Sequence, residues 1–259
     1  MARLSQHRYF AYFEAPMHLG WRDLRSRYAQ TKIGPWWSAS SLLIVVIGIS
    51  LSTGLLSGNS ALDQSPKIAV AMGFWTFISG VLAEATDTFV SEKSILLNTK
   101  ISESVMTVRL LWRNYLLLLH NSAVMFLFLL ITGASVGTFV KLLVLITVFA
   151  PMLAAALFVP ALFFSRFGAL NRDVKVFLTT AIQLNFFLTP ILWDPPSKGT
   201  MHYIALFNPV GWAIQFSKEY LFTQVFPAKL FFMVVTTTLF LLTIHVVSIR
   251  RLKDIKKFL

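Results

Sequence analysis

Six apolar runs, each long enough to cross a bilayer, alternate along this chain with connections that hold most of its charge. A membrane-crossing helix needs about 20 consecutive, mostly apolar residues. The runs are Trp36–Leu56, Ile68–Val90, Leu110–Thr132, Leu142–Phe164, Val174–Trp193 and Leu230–Ile249. Only 13% of the residues are charged, about half of the roughly 25% in a soluble domain. The runs lack the strict alternation of outer-membrane strands. The predicted fold class is therefore an all-α integral membrane protein with six transmembrane helices.

Six spans place both termini on one side, and charge says which. Of 23 Lys and Arg, eighteen fall in the terminal segments and the connections on the same side as the termini. The other connections hold five: Lys67, Lys141, Lys198, Lys218 and Lys229. The positive-inside rule then assigns both termini to the cytoplasm. The net charge of +12 is thus accounted for by topology, and nucleic acid is not an expected partner. No cysteine is present, which excludes a disulfide framework or a thiolate metal site.

The chain reads as one transmembrane domain, 1–259, with a cytoplasmic and interfacial segment (1–35), the six-span region (36–249) and a basic tail (250–259). Residues 1–35 show no short apolar core with a small-residue cleavage site, so the first span is expected to serve as an uncleaved signal. Within this segment Met17, Trp21, Leu24 and Tyr28 recur at spacings of four, three and four. A helix would align them in a stripe, with Arg22, Arg25, Arg27 and Lys32 largely off it. Such a helix lies in the membrane interface. Gly34-Pro35 ends it, because proline disfavours helix at the preceding residue.

The loops differ in kind. Ser91–Val108 has room for a short helix and a turn, and Gly133–Lys141 reads as a tight turn. Asp194–Lys229 opens with a helix-stopping Asp-Pro-Pro-Ser-Lys-Gly. It then carries two apolar blocks, around Tyr203–Phe207 and Val210–Phe216, separated by Asn208-Pro209. Each is too short to span, so both are expected as re-entrant or interfacial helices on the outer side. A loop on the outer leaflet is the plainer alternative.

Chemistry is sparse. There is no Walker A pattern, HExxH or GxSxG. His18 and Asp23 match the two fixed letters of a glycerolipid acyltransferase motif, without a soluble catalytic domain behind them. Glu84 and Asp87, three apart on one helix face, sit near the cytoplasmic end of the second run. A carboxylate at the centre of a span costs about 2.5–3.5 kcal/mol on insertion scales. They suit an inner vestibule, or pairing with Lys93 or Arg113. His120 and Asn121, mid-span, are expected to hydrogen-bond a neighbouring helix; His245 is a weaker candidate. Trp36, Trp37, Trp193 and Trp212 fall at expected interfaces. Phe74, Trp75, Phe77, Phe177, Phe186 and Phe187 lie within runs and face either lipid or a channel.

Taken in order, several segments resemble the polysaccharide-export branch of the ABC-2 type transporter permeases, which move O-antigen, capsule and teichoic acid chains. The resemblance begins at RDLRSRYAQTKIGPWW and continues through GFWTFISGVLAEATDTFV and RLLWRNYLLLLHN. It is clearest at LNRDVKVFLTTAIQLNFFLTPILW and FNPVGWAIQFSKEYL. The resemblance implies a homodimeric, six-span permease in a bacterial inner membrane. Two copies of a separate ATPase subunit would bind ATP and Mg, leaving this chain no enzymatic activity and no cofactor of its own. It implies a coupling helix in the loop after the second span, with Glu92, Lys93, Lys100 and Glu103 as docking candidates. The family's usual proline just after that helix is absent from Ser102 to Val105, and Lys218 stands near where an Arg usually follows the Asn-Pro pair. The resemblance also implies two outer gate helices and a channel at the dimer seam. Arg22, Arg25, Arg27 and Lys32 are placed to meet the pyrophosphate of a lipid-linked glycan; their plainer role is topology and anchoring to membrane lipids. The runner-up functions are an ABC-2 permease for another lipid or a drug, and a stand-alone membrane acyl- or glycosyltransferase.

Overall fold

The computed structural model describes residues 16–58, 60–98 and 101–248. All regular structure among them is helical. Helix α1 covers 16–27. After it come α2 (Trp36–Ser57), α3 (Ala61–Ser91), α4 (Lys93–Asn98) and α5 (Glu103–Ile131). Next, α6 (Val136–Val144) runs through a π-helical turn, Leu145–Phe149, into α7 (Ala150–Leu170). The chain continues with α8 (Asp173–Leu188), α9 (Thr200–Phe207), α10 (Pro209–Phe222) and α11 (Ala228–Ser248).

Five helical stretches are long and apolar enough to cross a membrane: α2, α3, α5, the continuous α6–α7 rod and α11. The chain is a multi-pass, all-helical membrane protein. The predicted span Val174–Trp193 is instead α8, 16 residues long. At about 1.5 Å per residue it reaches roughly 24 Å, short of a ~30 Å hydrocarbon core. It stops because Pro190 forces Thr189 into an extended conformation. The predicted turn over Gly133–Lys141 is also corrected. Only 132–135 is turn, since the Ser135 hydroxyl accepts from Thr138 N–H and starts α6 at Val136. The first span begins at Trp36 as predicted, whereas α3, α5 and α11 begin earlier than predicted. Ser102 caps α5 by accepting from Val105 N–H, and α3 starts at Ala61.

Helix α3 is the axis of the bundle, packed by α2, α5, α7, α8 and α10. Its proline is accommodated locally. Pro66 cannot donate to the Leu62 carbonyl, and the Ser65 hydroxyl donates to that oxygen instead, at 2.7 Å. Small residues set the helix separations. A Cβ on Gly168 of α7 would collide with the backbone carbonyl of Thr86 on α3. Phe74 and Phe77 of α3 are fully interior, and Phe74 meets Phe149 of the π-helical turn edge to face. The turn ends two residues before Pro151, which has no N–H to donate to the Thr147 carbonyl four residues back.

The apolar blocks after α8 are helices α9 and α10. Asn208 accepts from Gly211 N–H as the cap of α10, and its amide donates to Asn185 and Thr189 on the α8 side. Helix α10 is docked into the bundle, with Ala213, Ile214, Phe216, Ser217 and Leu221 buried. Asn208→Ala therefore loses a cap and two tertiary hydrogen bonds. We expect about 2 kcal/mol of destabilisation, read as a lower unfolding midpoint in detergent. An unchanged midpoint would show that the amide is not what holds α10 to α8.

Candidate functional site

Where α1 meets α3 and α5, charged side chains from all three converge on a cavity of about 450 Å3. The local sequence explains the convergence. Arg109 and Arg113 are four apart on α5, and Glu84, Asp87 and Thr88 share a face of α3. Helix α1 approaches because Gly20 has no side chain. A Cβ there would lie 3.0 Å from the Trp112 ring and 3.1 Å from the Arg109 carbonyl oxygen.

The pairs form one web. Arg109, 7% exposed, grips Asp23 with two hydrogen bonds, Nε to Oδ2 at 2.5 Å and Nη2 to Oδ1 at 2.6 Å. The same guanidinium reaches Glu92 Oε1 at 3.0 Å. Glu84 accepts from Arg27 at 2.5 Å, from Arg113 at 2.7 Å and from the Asn114 amide at 2.8 Å. Such forked arginine–carboxylate contacts are shorter and stronger than neutral hydrogen bonds. The Arg27 guanidinium is pushed above its ordinary pKa chiefly by its hydrogen bond to Glu84, despite an opposing desolvation effect. Beside the web, Lys175 pairs with Asp87 at 2.6 Å and Arg166 with Glu103 at 2.6 Å. The ends of α3, α5, α7 and α8 are thus gathered with α1 at one pole.

The expected site residues fall into distinct environments. Glu84 and Asp87 line the cavity, Glu84 pairing with Arg113 and Asp87 with Lys175 rather than Lys93. Arg27, itself 51% exposed, joins them, while Arg22, Arg25 and Lys32 are exposed away from this cavity. Arg25 borders a separate cavity of about 350 Å3 with Tyr28 and His120. Of the docking candidates, Lys93 is exposed, Glu92 is held by Arg109 and Glu103 is buried against Arg166. Lys100 lies outside the described residues. Phe74, Trp75 and Phe77 are interior packing residues, contrary to a channel-facing position, because α3 runs through the centre of the bundle. Phe177 and Phe187 are exposed on α8, and Phe186 packs against Trp75.

The α1 stripe is divided between protein and surroundings. Gly20 and Leu24 face the protein, whereas Met17 and Trp21 are exposed. Asp23 is committed to Arg109 and His18 is exposed, so the acyltransferase-like pair forms no joint site. Asn121 bridges helices, accepting from Ser38 of α2 at 2.9 Å and donating to Thr76 of α3 at 3.4 Å. His120 pairs with its own helix's Leu116 carbonyl and meets Trp36 edge to face. The central role of Arg109 is absent from the sequence reading. Its only signal there is the four-residue spacing to Arg113 at the head of an apolar run.

At the opposite end of α8, the buried Lys218 ammonium caps the chain's exit from that helix. It donates to the Pro190 and Trp193 carbonyls and to Asp194. Burial pushes the Asp194 carboxyl up, but the Lys218 hydrogen bond and charge outweigh it and hold its pKa below the ordinary value. Among the described residues no cluster of His and carboxylate side chains is arranged to hold a metal ion. No known protein family matches this sequence, and no curated protein matches it.

Proposed function

We propose that this chain is the membrane permease subunit of an ATP-driven exporter that moves lipid-linked polysaccharide out of a bacterial cell. The observation carrying the reading is α4. It is a six-residue helix set between two long helices, at the pole where α1, α3 and α5 are joined by part-buried ion pairs. Lys93 and Leu97 of α4 are exposed while Leu96 anchors it inward. A short, anchored, outward-facing helix wired to the bundle through Glu92 and Arg109 suits a docking point for a mechanical partner. That partner would be a separate ATPase, bound in two copies to a homodimer of this chain, carrying the ATP and Mg.

In this scheme the pole with α4 faces the cytoplasm, in line with the charge asymmetry of the connections. ATP-driven motion passes from α4 through Glu92 and Arg109 to α1, α3 and α5, and the spans part at the seam between two copies. The exposed cations Arg22, Arg25 and Lys32 meet the lipid pyrophosphate, and α9 and α10 guard the outer mouth. The exposed rings Phe177 and Phe187 of α8 are the aromatics left to face a passing sugar chain.

The test is purification of the full chain from its native membrane. A co-purifying polypeptide with a Walker A motif is expected, and export activity by the chain alone would sink the reading. The docking surface is tested by Lys93→Glu with Leu97→Asp, which leaves the ion pairs intact. Retention of the ATPase is expected to fall at least about tenfold, the effect of losing roughly 1.4 kcal/mol of binding. Undiminished retention would move the docking site away from α4.

A further inference from the structure

Beyond the C-terminal end of α8, remote from the ion-paired pole, lies a second cavity of about 550 Å3. That volume is within the usual range for small-molecule sites, about 300–1,000 Å3. One wall is the stripe Trp212, Gln215 and Glu219 of α10, spaced three and four apart on one helix face. The opposite stripe of α10 is the one buried in the bundle. His202 of α9 faces the cavity, and Phe226 and Lys229 close its far side.

The polar groups are fixed before any ligand arrives. Trp212 Nε1 donates to the Leu206 carbonyl at 2.9 Å, so the indole has only ring carbon left to offer the cavity. Gln215 Nε2 donates to Glu219 Oε1 at 2.7 Å. His202 Nδ1 lies 3.1 Å from the Pro196 carbonyl, which fixes it as the donor nitrogen. Open to a ligand are three acceptors, the Gln215 carbonyl oxygen, the second Glu219 oxygen and His202 Nε2, and two donors, the Lys229 ammonium and the Ser197 hydroxyl. Ordering costs are already met, which favours affinity.

A ligand for this site must bring several hydroxyls, which both donate and accept, and an apolar face for the rings. It should carry no net charge, because Glu219 and Lys229 offset one another. An acyl chain would strand the three acceptors, and a phosphate would meet the Glu219 carboxylate. We infer that the cavity is a saccharide site that takes a neutral pyranose unit, stacked on Trp212 or Phe226, with its hydroxyls on Gln215, Glu219 and His202. Its place on the exit path of a polysaccharide rests on the exporter reading; its chemistry does not.

The experiment is titration of the detergent-purified full chain with four methyl glycosides: glucoside, mannoside, galactoside and N-acetylglucosaminide. Saturable change in tryptophan fluorescence is expected with at least one of them, lost in Trp212→Phe. Glu219→Gln and His202→Ala should each weaken binding about tenfold, the usual effect of deleting one hydrogen bond to a charged or oriented acceptor. Both should keep the wild-type unfolding midpoint. No saturable change with any of the four sugars, or binding that both variants leave untouched, overturns the site. Sugar binding without a co-purifying ATPase would uphold the site and reject the exporter. An ATPase partner without sugar binding would do the reverse.

Discussion

Arg109→Met is expected to lower the stability of this protein by about 3–5 kcal/mol, the usual consequence of stranding one member of a buried ion pair. The guanidinium is 7% exposed and holds two carboxylates, Asp23 on α1 and Glu92 beside α4. Without it the Asp23 carboxylate faces protein with only the distant Arg113, 3.9 Å away. Arg109→Lys should recover little, since an ammonium is a point donor and cannot fork onto Asp23 while also reaching Glu92. Arg109→Met with Asp23→Asn should be far milder than the sum of the two single changes. Thermal unfolding in detergent measures all four proteins. Strict additivity would mean that the pair is not coupled, and that α1 is held by Leu24 and Gly20 alone.

Gly168→Ala is expected to be destabilising by about 1–3 kcal/mol, the usual range for overpacking. In a helix interior open to its surroundings the same change would gain about 1 kcal/mol from propensity. Space decides the sign. The new methyl group would strike the Thr86 carbonyl, a backbone atom of the central helix that cannot swing aside. Gly48→Ala on α2 is the control, because nothing lies within 4 Å of its Cβ position. Its unfolding midpoint should rise slightly while that of Gly168→Ala falls. Equal responses at the two sites would refute the close approach of α3 and α7.

The positions of the spans were readable because apolar run length is a local property of the chain. Their ends were less so, and for identifiable reasons. Ile191, Leu192 and Trp193 continue the hydropathy of α8 past Pro190, so the apolar run outlasts the helix. Ser135 was a cap disguised by its Gly-rich surroundings. On α1 the residues that pack are Gly20 and Leu24. The apolar stripe includes Leu24 but not Gly20, because a glycine that permits contact has no side chain to register. The carboxylates Glu84 and Asp87 were visible as charge inside an apolar run. Their partners were not: Arg27 is 57 residues from Glu84, and Asp23 is 86 from Arg109. Only the fold brings those distances to zero.

The pairing of Glu84 with Arg113 and Asn114 also bears on how the chain is made. Synthesis delivers α3 to the membrane before α5 exists, when Glu84 has Arg27 of α1 as a partner but lacks the two that α5 supplies. The compensating guanidinium and amide emerge 29 and 30 residues later, on the next long helix. Glu84 therefore gains its full set of partners only when α3 and α5 stand together, and the Asp23–Arg109 clasp that holds α1 can close only once α5 is present.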